Sequence, residues 1–400
     1  VKKEIIVLGS SFGGYHCAIK LRKLLCARHS IRVISKEDCF TFIPSLPWVV
    51  AGWTDAASIQ FNIVKKLASL GIGFTKDTII KAEPDQNRVI GQLGEYNYDY
   101  LVAATGAELD FAAIPGLGGH SHSLITIEQA LKAKTALAET IASGSGSLIF
   151  GNAQGASCLG PVYEMAMITD TVLRGLGKRR HFKISLFTNE PSLGHFGVGG
   201  FGSMTGMLED EFADRSIEWH TNAEIAEVTA GNVELKNGTK LKNDFSIIVP
   251  TFYGSHAYMG IEGLANPRGF LLADDYLANP KYRNIHAVGV SLAIAPPAPT
   301  QVPVGVPKTG QMTEKMAGIV AHNIAADIRG GEKVRGKDFS VMCIADAGDT
   351  AFLVAADPLF PPRDGLSHKK GIRFHWLKYA FEKYYMASLK YGLPMPKTNL

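Results

Sequence analysis

Gly151-Asn152-Ala153-Gln154-Gly155-Ala156-Ser157-Cys158-Leu159-Gly160-Pro161-Val162-Tyr163-Glu164 decides the reading of this chain. An apolar run, Leu148-Ile149-Phe150, precedes it, and a helix-like segment from Tyr163 to Leu176 follows. A strand, a glycine turn and a helix in that order place backbone N–H groups at a positive helix end, where a dinucleotide's pyrophosphate is stabilised. The glycines depart from G-x-G-x-x-G, because Ala153 and Ala156 stand at the second and third positions. Cys158 points out of the turn instead. The stretch reads as a nucleotide turn converted into a redox-cysteine turn.

A similar unit opens the chain. Glu4-Ile5-Ile6-Val7-Leu8-Gly9 is a short buried-strand run that flows into Ser10-Ser11-Phe12-Gly13-Gly14 and a helix from Tyr15 to Leu25. Ser11 replaces the middle glycine, so Gly9, Ser11, Phe12, Gly13 and Gly14 are candidate contacts to a dinucleotide. The next strand, Ile31 to Ser35, ends where a ribose-binding acid is usual; Ser35 and Lys36 stand there, with Glu37 close behind. An apolar loop broken by Pro44 and Pro47 follows, suited either to a greasy acceptor or to packing between domains. Tyr98 to Gly106 is a strand ending in Ala104-Thr105-Gly106, the closing signature of an FAD half-domain in flavoproteins with two dinucleotide-binding units. Cys39 lacks the C-x-x-x-x-C partner of flavin disulfide reductases.

The second half echoes the first. Leu148–Gly155 repeats the opening unit, and Asn243 to Pro250 repeats the closing strand, as expected of one α/β unit inserted in another. Asn284 to Val290 then returns to the first unit, with Gly289 in a G-D-like ending whose aspartate is replaced by Val290. A proline-rich loop, Ala295 to Pro307, leads into Lys308-Thr309-Gly310 and a helix to about Ile328. A lysine at a helix start stabilises negative charge on a reduced flavin's ring edge. The expected fold is α/β, with tandem Rossmann-like domains. Residues 1–112 and 251–330 form a split FAD domain, and 113–250 a second domain with a degenerate NAD motif. Residues 331–400 form a C-terminal appendage.

That appendage has its own character. Val341 to Asp346 is a buried-looking strand holding Cys343. Arg363 to Lys397 carries eight Lys/Arg against two acids. Within it Trp376, Leu377, Ala380, Phe381, Tyr384 and Leu389 share a face of a helix from about 372 to 391, with Lys378, Lys383 and Lys390 beside it. A basic, aromatic-rich amphipathic helix is built for a bilayer interface, or for docking on a protein surface.

Composition narrows the classes. A net charge of +4 and no aromatic-interleaved basic stripe in the body give no reason to expect nucleic acid. The opening strand shows no leader, and no run reaches the length of a membrane span, so a membrane role is expected to be peripheral. Five cysteines without C-x-x-C spacing argue against a metal site or a disulfide framework.

Taken together these motifs resemble the sulfide:quinone oxidoreductase family. The resemblance rests on G-A-S-C-x-G-P-x-Y-E around Cys158, G-H-F-G-V-G-G at 194–200, G-V-P-K-T-G-Q-M at 305–312, C-I-A-D at 343–346 and A-F-E-K-Y at 380–384. It implies Cys158 and Cys343 as the sulfur-handling pair, Glu164 and His195 as proton-handling or channel residues, and Met342, Lys378 and Phe381 at the quinone. It further implies FAD, sulfide and a membrane quinone as cofactor and substrates, a homo-oligomer, and a peripheral place at the cell membrane through the C-terminal helix. Many members carry a third cysteine in C-T-x-x-H-A. Here Ile125-Thr126-Ile127-Glu128-Gln129-Ala130 lacks it, so non-covalent FAD is expected. The rivals are a type II NADH:quinone dehydrogenase, a flavocytochrome c sulfide dehydrogenase and a non-catalytic flavin-binding sulfide sensor.

Overall fold

The structure is a computed structural model that describes residues 1–336 and 339–394. Lys397 of the basic stretch lies outside the described residues. The strand Glu4–Leu8 sits at the centre of a five-stranded parallel sheet. Tyr100–Ala103 and Ile285–Ala287 lie to one side, Ser30–Ser35 and Gly73–Lys76 to the other. Ile5 to Leu8 are all at most 1% exposed, as a parallel strand covered on both faces requires. The helix Phe12–Leu24 packs across this sheet beside the helix Gly310–Arg329.

A second, four-stranded parallel sheet runs Ile217–His220, Phe182–Phe187, Gly146–Asn152, Phe245–Val249. Its first crossover is the helix Gly160–Gly175, begun by Pro161 in the first turn, where the missing N–H costs no helical bond. Val162 to Asp170 are buried without a break, so this helix is enclosed. Asp170 remains charged-paired there with Arg174 at 2.7 Å and Arg215 at 3.0 Å. A two-stranded antiparallel link, Glu108–Asp110 with Thr251–Tyr253, carries the chain between the two sheets.

The C-terminal region is an antiparallel sheet of Val341–Asp346, Ala351–Asp357 and Gly365–Lys370, followed by the helix Ile372–Tyr391. One face of that helix, with Phe374, Lys378, Glu382, Tyr385 and Leu389, is buried at i, i+4, i+8, i+11, i+15 spacing. The outward face shows Ile372, Trp376, Leu377, Tyr379 and Tyr384, each 43% exposed or more. The sequence expectation is corrected in two places. Leu389 belongs to the inner face, and Lys378 does not flank the apolar face but is buried, because a carboxylate waits for it inside. Among the described residues no helix is long and apolar enough to cross a membrane.

Candidate active site

The opening turn has the shape that a dinucleotide needs. Gly9 adopts φ +102°, and a Cβ there would stand 2.2 Å from the Ala104 carbonyl oxygen. A Cβ on Gly14 would stand 1.9 Å from the Gly9 carbonyl oxygen, so strand and helix are in direct backbone contact. The helix Phe12–Leu24 has no side-chain cap from Ser11 and no acid in its first turn, leaving its positive end open to an anion. The residues present therefore fit the pyrophosphate of FAD. Ser35 accepts from the Glu37 N–H at 3.3 Å and donates to Ser10 at 3.0 Å, so its hydroxyl closes the turn; Lys36 is exposed beside it.

The remaining candidates lie around the same sheet end. Thr105 is exposed, Gly106 takes φ +76°, Gly289 takes φ +72° against Thr313, and Pro44 is exposed at the start of a short 3-10 turn. Thr309 caps the helix Gly310–Arg329 by accepting from the Met312 N–H at 3.3 Å, and Gly310 lies on the Phe12 ring. Lys308, just before this cap, has its ammonium 5.6 Å from the Phe270 ring centre. Its side chain reaches solvent from a recess walled by protein, and this burial lowers its pKa to about 8.

The second turn is spent on the chain itself. The Gly155 N–H donates to the Pro303 carbonyl at 2.6 Å, and the Gly305 N–H donates back to Ala156 at 2.9 Å. Asn189 adds a second donor to Pro303 at 2.7 Å. A Cβ on Gly305 would stand 2.6 Å from that of Ser157, so the 303–305 segment lies directly on the turn. Glu190, just past the neighbouring strand Phe182–Phe187, is turned inward and fully buried. It accepts from Thr188, from Tyr163 and from the Phe196 N–H, each at 2.6 Å. Sequence reading missed Glu190; an acid just after the second strand of a nucleotide-type unit was the available signal.

Cys158 follows this turn, half-buried, just before the uncapped N-terminus of the helix Gly160–Gly175. Cys343 lies in mid-strand opposite Val354. Its side chain is exposed to solvent but walled by protein. Burial pushes the Cys158 thiol up to about 12, with further upward pushes from Cys343 and from the charge of Glu164. Burial and Glu164 push Cys343 to about 11. The three groups thus form one electrostatic cluster, and the two sulfurs are free thiols.

Glu164 itself is buried, and burial raises its pKa to about 7 against the opposing pull of Lys378. Lys378 donates to both of its oxygens at 2.7 and 2.8 Å, and the Asp346 N–H donates at 3.1 Å. Lys378, carried over as a quinone contact, thus rests on Glu164. Phe381 packs with Tyr385 at 5.6 Å and Phe42 at 6.2 Å. Met342 alternates with Cys343 and packs on the Ala351, Leu353 and Phe374 cluster under the C-terminal helix. His195 is half-buried, which lowers its pKa, and no hydrogen-bond partner meets its Nδ1 among the described residues. Its loop packs on Gly305 through Gly197, over the Cys158 turn.

The family model for pyridine nucleotide-disulphide oxidoreductases matches residues 3–307. The sulfide-quinone reductase of Aquifex aeolicus is 37% identical over 397 residues, which is 98% of this chain and 92% of that protein. The crystal structure of the sulfide:quinone oxidoreductase from Aquifex aeolicus superposes with a TM-score of 0.94 at 36% identity, over 99% of this chain and 93% of that one. An external alternative NAD(P)H-ubiquinone oxidoreductase of Solanum tuberosum is 32% identical, over only 32% of this chain and 24% of its own length. Near-complete coverage by one relative, against a third by the other, separates the two readings: the chain belongs to the sulfide:quinone oxidoreductase family of the pyridine nucleotide-disulphide oxidoreductases.

Proposed function

We propose that this chain oxidises hydrogen sulfide to zero-valent sulfur or polysulfide at the Cys158–Cys343 pair and delivers the electrons through FAD to a quinone. The observation that carries the reading is the gathering of two cysteines from distant parts of the chain around one buried carboxylate, Glu164. With the pair oxidised to a disulfide, HS⁻ attacks one sulfur; a new S–S bond forms as a persulfide, the old one breaks, and the other cysteine leaves as a thiolate. Bound FAD would supply the two-electron relay between that sulfur pair and quinone, the overall balance being H₂S and quinone to zero-valent sulfur and quinol. Glu164 takes the proton that H₂S gives up on becoming HS⁻. The helix start at Phe12 would hold the pyrophosphate, and Lys308 with the helix Gly310–Arg329 would face the flavin's anionic edge. With Ile125 where many members carry a cysteine, the flavin is held non-covalently.

NADH is disfavoured as the donor by the Pro303 carbonyl on Gly155 and by the inward turn of Glu190. Anaerobic mixing separates the readings. Sulfide should bleach the flavin promptly and added quinone should restore it, whereas NADH should leave the spectrum unchanged. Prompt bleaching by NADH and none by sulfide would reverse the choice.

The outward face of the helix Ile372–Tyr391 carries the proposed membrane contact. Trp376 is 61% exposed and Leu377 45%, and Arg373, Lys383 and Lys390 are exposed around them. Burying a large apolar side chain is worth about 1.5–3 kcal/mol, so replacing both with glutamate should weaken binding to anionic liposomes by more than about tenfold. Co-sedimentation checks this; equal pelleting of variant and parent would assign the face to another contact.

A further inference from the structure

The helix that turns Trp376 and Leu377 outward also reaches the sulfur site with its inner face. Lys378 meets Glu164 with both side chains below a tenth exposed, 7% and 8%. Two hydrogen bonds of 2.7 and 2.8 Å fix the ammonium on the carboxylate. One helical turn earlier, His375 meets Asp346 at 3.0 Å. Asp346 also accepts from the Trp48 indole at 2.7 Å and the Gly348 N–H at 3.0 Å, while its own N–H goes to Glu164. The Trp48 ring lies 5.2 Å from the Lys378 ammonium. The C-terminal helix therefore grips the strand of Cys343 and the helix after Cys158 through two polar contacts on one face, His375 on Asp346 and Lys378 on Glu164.

A buried ion pair is a poor way to hold a helix, since its desolvation offsets most of its attraction. Its distinctive effect is on the proton affinity of its members. From the proposed function, which this step presupposes, we infer that Lys378 is a positioning residue for sulfide oxidation. Docked on Glu164, it keeps that carboxylate ionised and aimed at the Cys158–Cys343 pair, so that seating of the membrane-facing helix and acceptance of sulfide's proton are coupled. The groups facing Glu164 are Lys378 from the helix, Asp346 and Cys343 from the strand, and Cys158 from the turn. Lys378 is the only cation among those four. Removing it leaves burial and the charge of Asp346, both of which favour the protonated carboxyl. The step it governs is one proton transfer, in which H₂S and the Glu164 carboxylate become HS⁻ and the carboxylic acid.

The test uses the flavin-loaded full chain and two half-reactions measured separately across the neutral pH range. Lys378→Met should move the limb of sulfide-dependent flavin bleaching upward by about one to three pH units. Reoxidation of dithionite-reduced flavin by quinone should keep its parent rate, and Lys378→Arg should return the limb toward the parent. A Lys378→Met limb that stays in place, with or without slower reoxidation, overturns the inference and returns Lys378 to the acceptor side. Should Lys378→Met fail to fold, the neutral pair Glu164→Gln/Lys378→Met replaces it. With rates divided by the H₂S present at each pH, so that sulfide's own ionisation does not supply the limb, that variant should show no parent-like limb, and finding one would again overturn the inference. A parent protein that sulfide does not reduce at all would instead remove the proposed function beneath it.

Discussion

Cys158→Ala and Cys343→Ala should each slow sulfide-dependent flavin reduction by about three orders of magnitude or more, equivalent to about 4 kcal/mol of barrier. With pKa values pushed up to about 12 and about 11, neither the Cys158 nor the Cys343 thiol is a standing thiolate at neutral pH, so neither is a good nucleophile in its reduced form. Reactivity must come from the oxidised pair, where the sulfur–sulfur bond is the electrophile and HS⁻ the nucleophile. One alanine removes that bond entirely and leaves a single protonated thiol beside Glu164. The other three cysteines provide the control. Cys17 is fully buried in the first helix, Cys39 lies in the strand Cys39–Thr41, and Cys26 is exposed after the first helix. Cys26→Ala should reduce at the parent rate. Both variants should retain their flavin, because neither residue belongs to the opening turn at which the flavin is proposed to bind. Stopped-flow bleaching with sulfide reads the effect, and undiminished rates in both variants would dismantle the sulfur mechanism.

The pH dependence follows from the same cluster. The Glu164 carboxyl is raised to about 7, chiefly by burial, so as a base it is fully available only above that pH. Its folded pKa lies above the ordinary carboxyl value. Its contribution to stability is therefore present at acid pH and is lost as pH rises through about 7, where the ionised form that the reaction needs takes over. On the proposed function the site thus gives up some stability in the range where Glu164 would act as base.

Some of this was legible in the sequence, for physical reasons that differ by residue. The strands Glu4–Leu8 and Val341–Asp346 and the helix Ile372–Tyr391 announce themselves through local apolar patterning, which needs no knowledge of partners. The two glycine turns are legible because a close backbone approach excludes a Cβ, and the chain must then place glycine at that point. The burial of Lys378 was not legible, because periodicity sets a residue on a helical face without saying what that face meets. A lysine beside aromatics looks solvated until a carboxylate from the helix Gly160–Gly175 appears in front of it. The same holds for His375 and Trp48, which meet at Asp346 from opposite ends of the chain. Glu190 and the Pro303 carbonyl were hidden likewise, since their partners, Tyr163, Thr188 and Phe196 for the one and Gly155 and Asn189 for the other, are set by the fold.

Gly14→Ala should yield protein that purifies with at least about tenfold less flavin, a loss of about 1.4 kcal/mol or more in affinity. The added Cβ would stand 1.9 Å from the Gly9 carbonyl oxygen and 2.7 Å from its carbon, and neither can move without moving the strand Glu4–Leu8. That strand is hydrogen-bonded on both sides, so the helix Phe12–Leu24 must shift instead. The shift would carry away the N–H groups proposed to hold the pyrophosphate. Gly9→Ala should behave alike, because φ +102° and the Ala104 carbonyl oxygen at 2.2 Å leave no room for a side chain. Gly13→Ala makes a graded comparison. Its Cβ would stand 3.0 Å from Ala104 Cβ and Val288 Cγ1, a far milder overlap than 1.9 Å from a carbonyl oxygen, so its flavin loss should be smaller than that of Gly14→Ala. Since ligand binding stabilises the folded form by mass action, the melting temperature should fall in the same order and recover in part with excess FAD. A Gly14→Ala protein with the parent's flavin content and melting temperature would show that the cofactor is anchored elsewhere than at this turn.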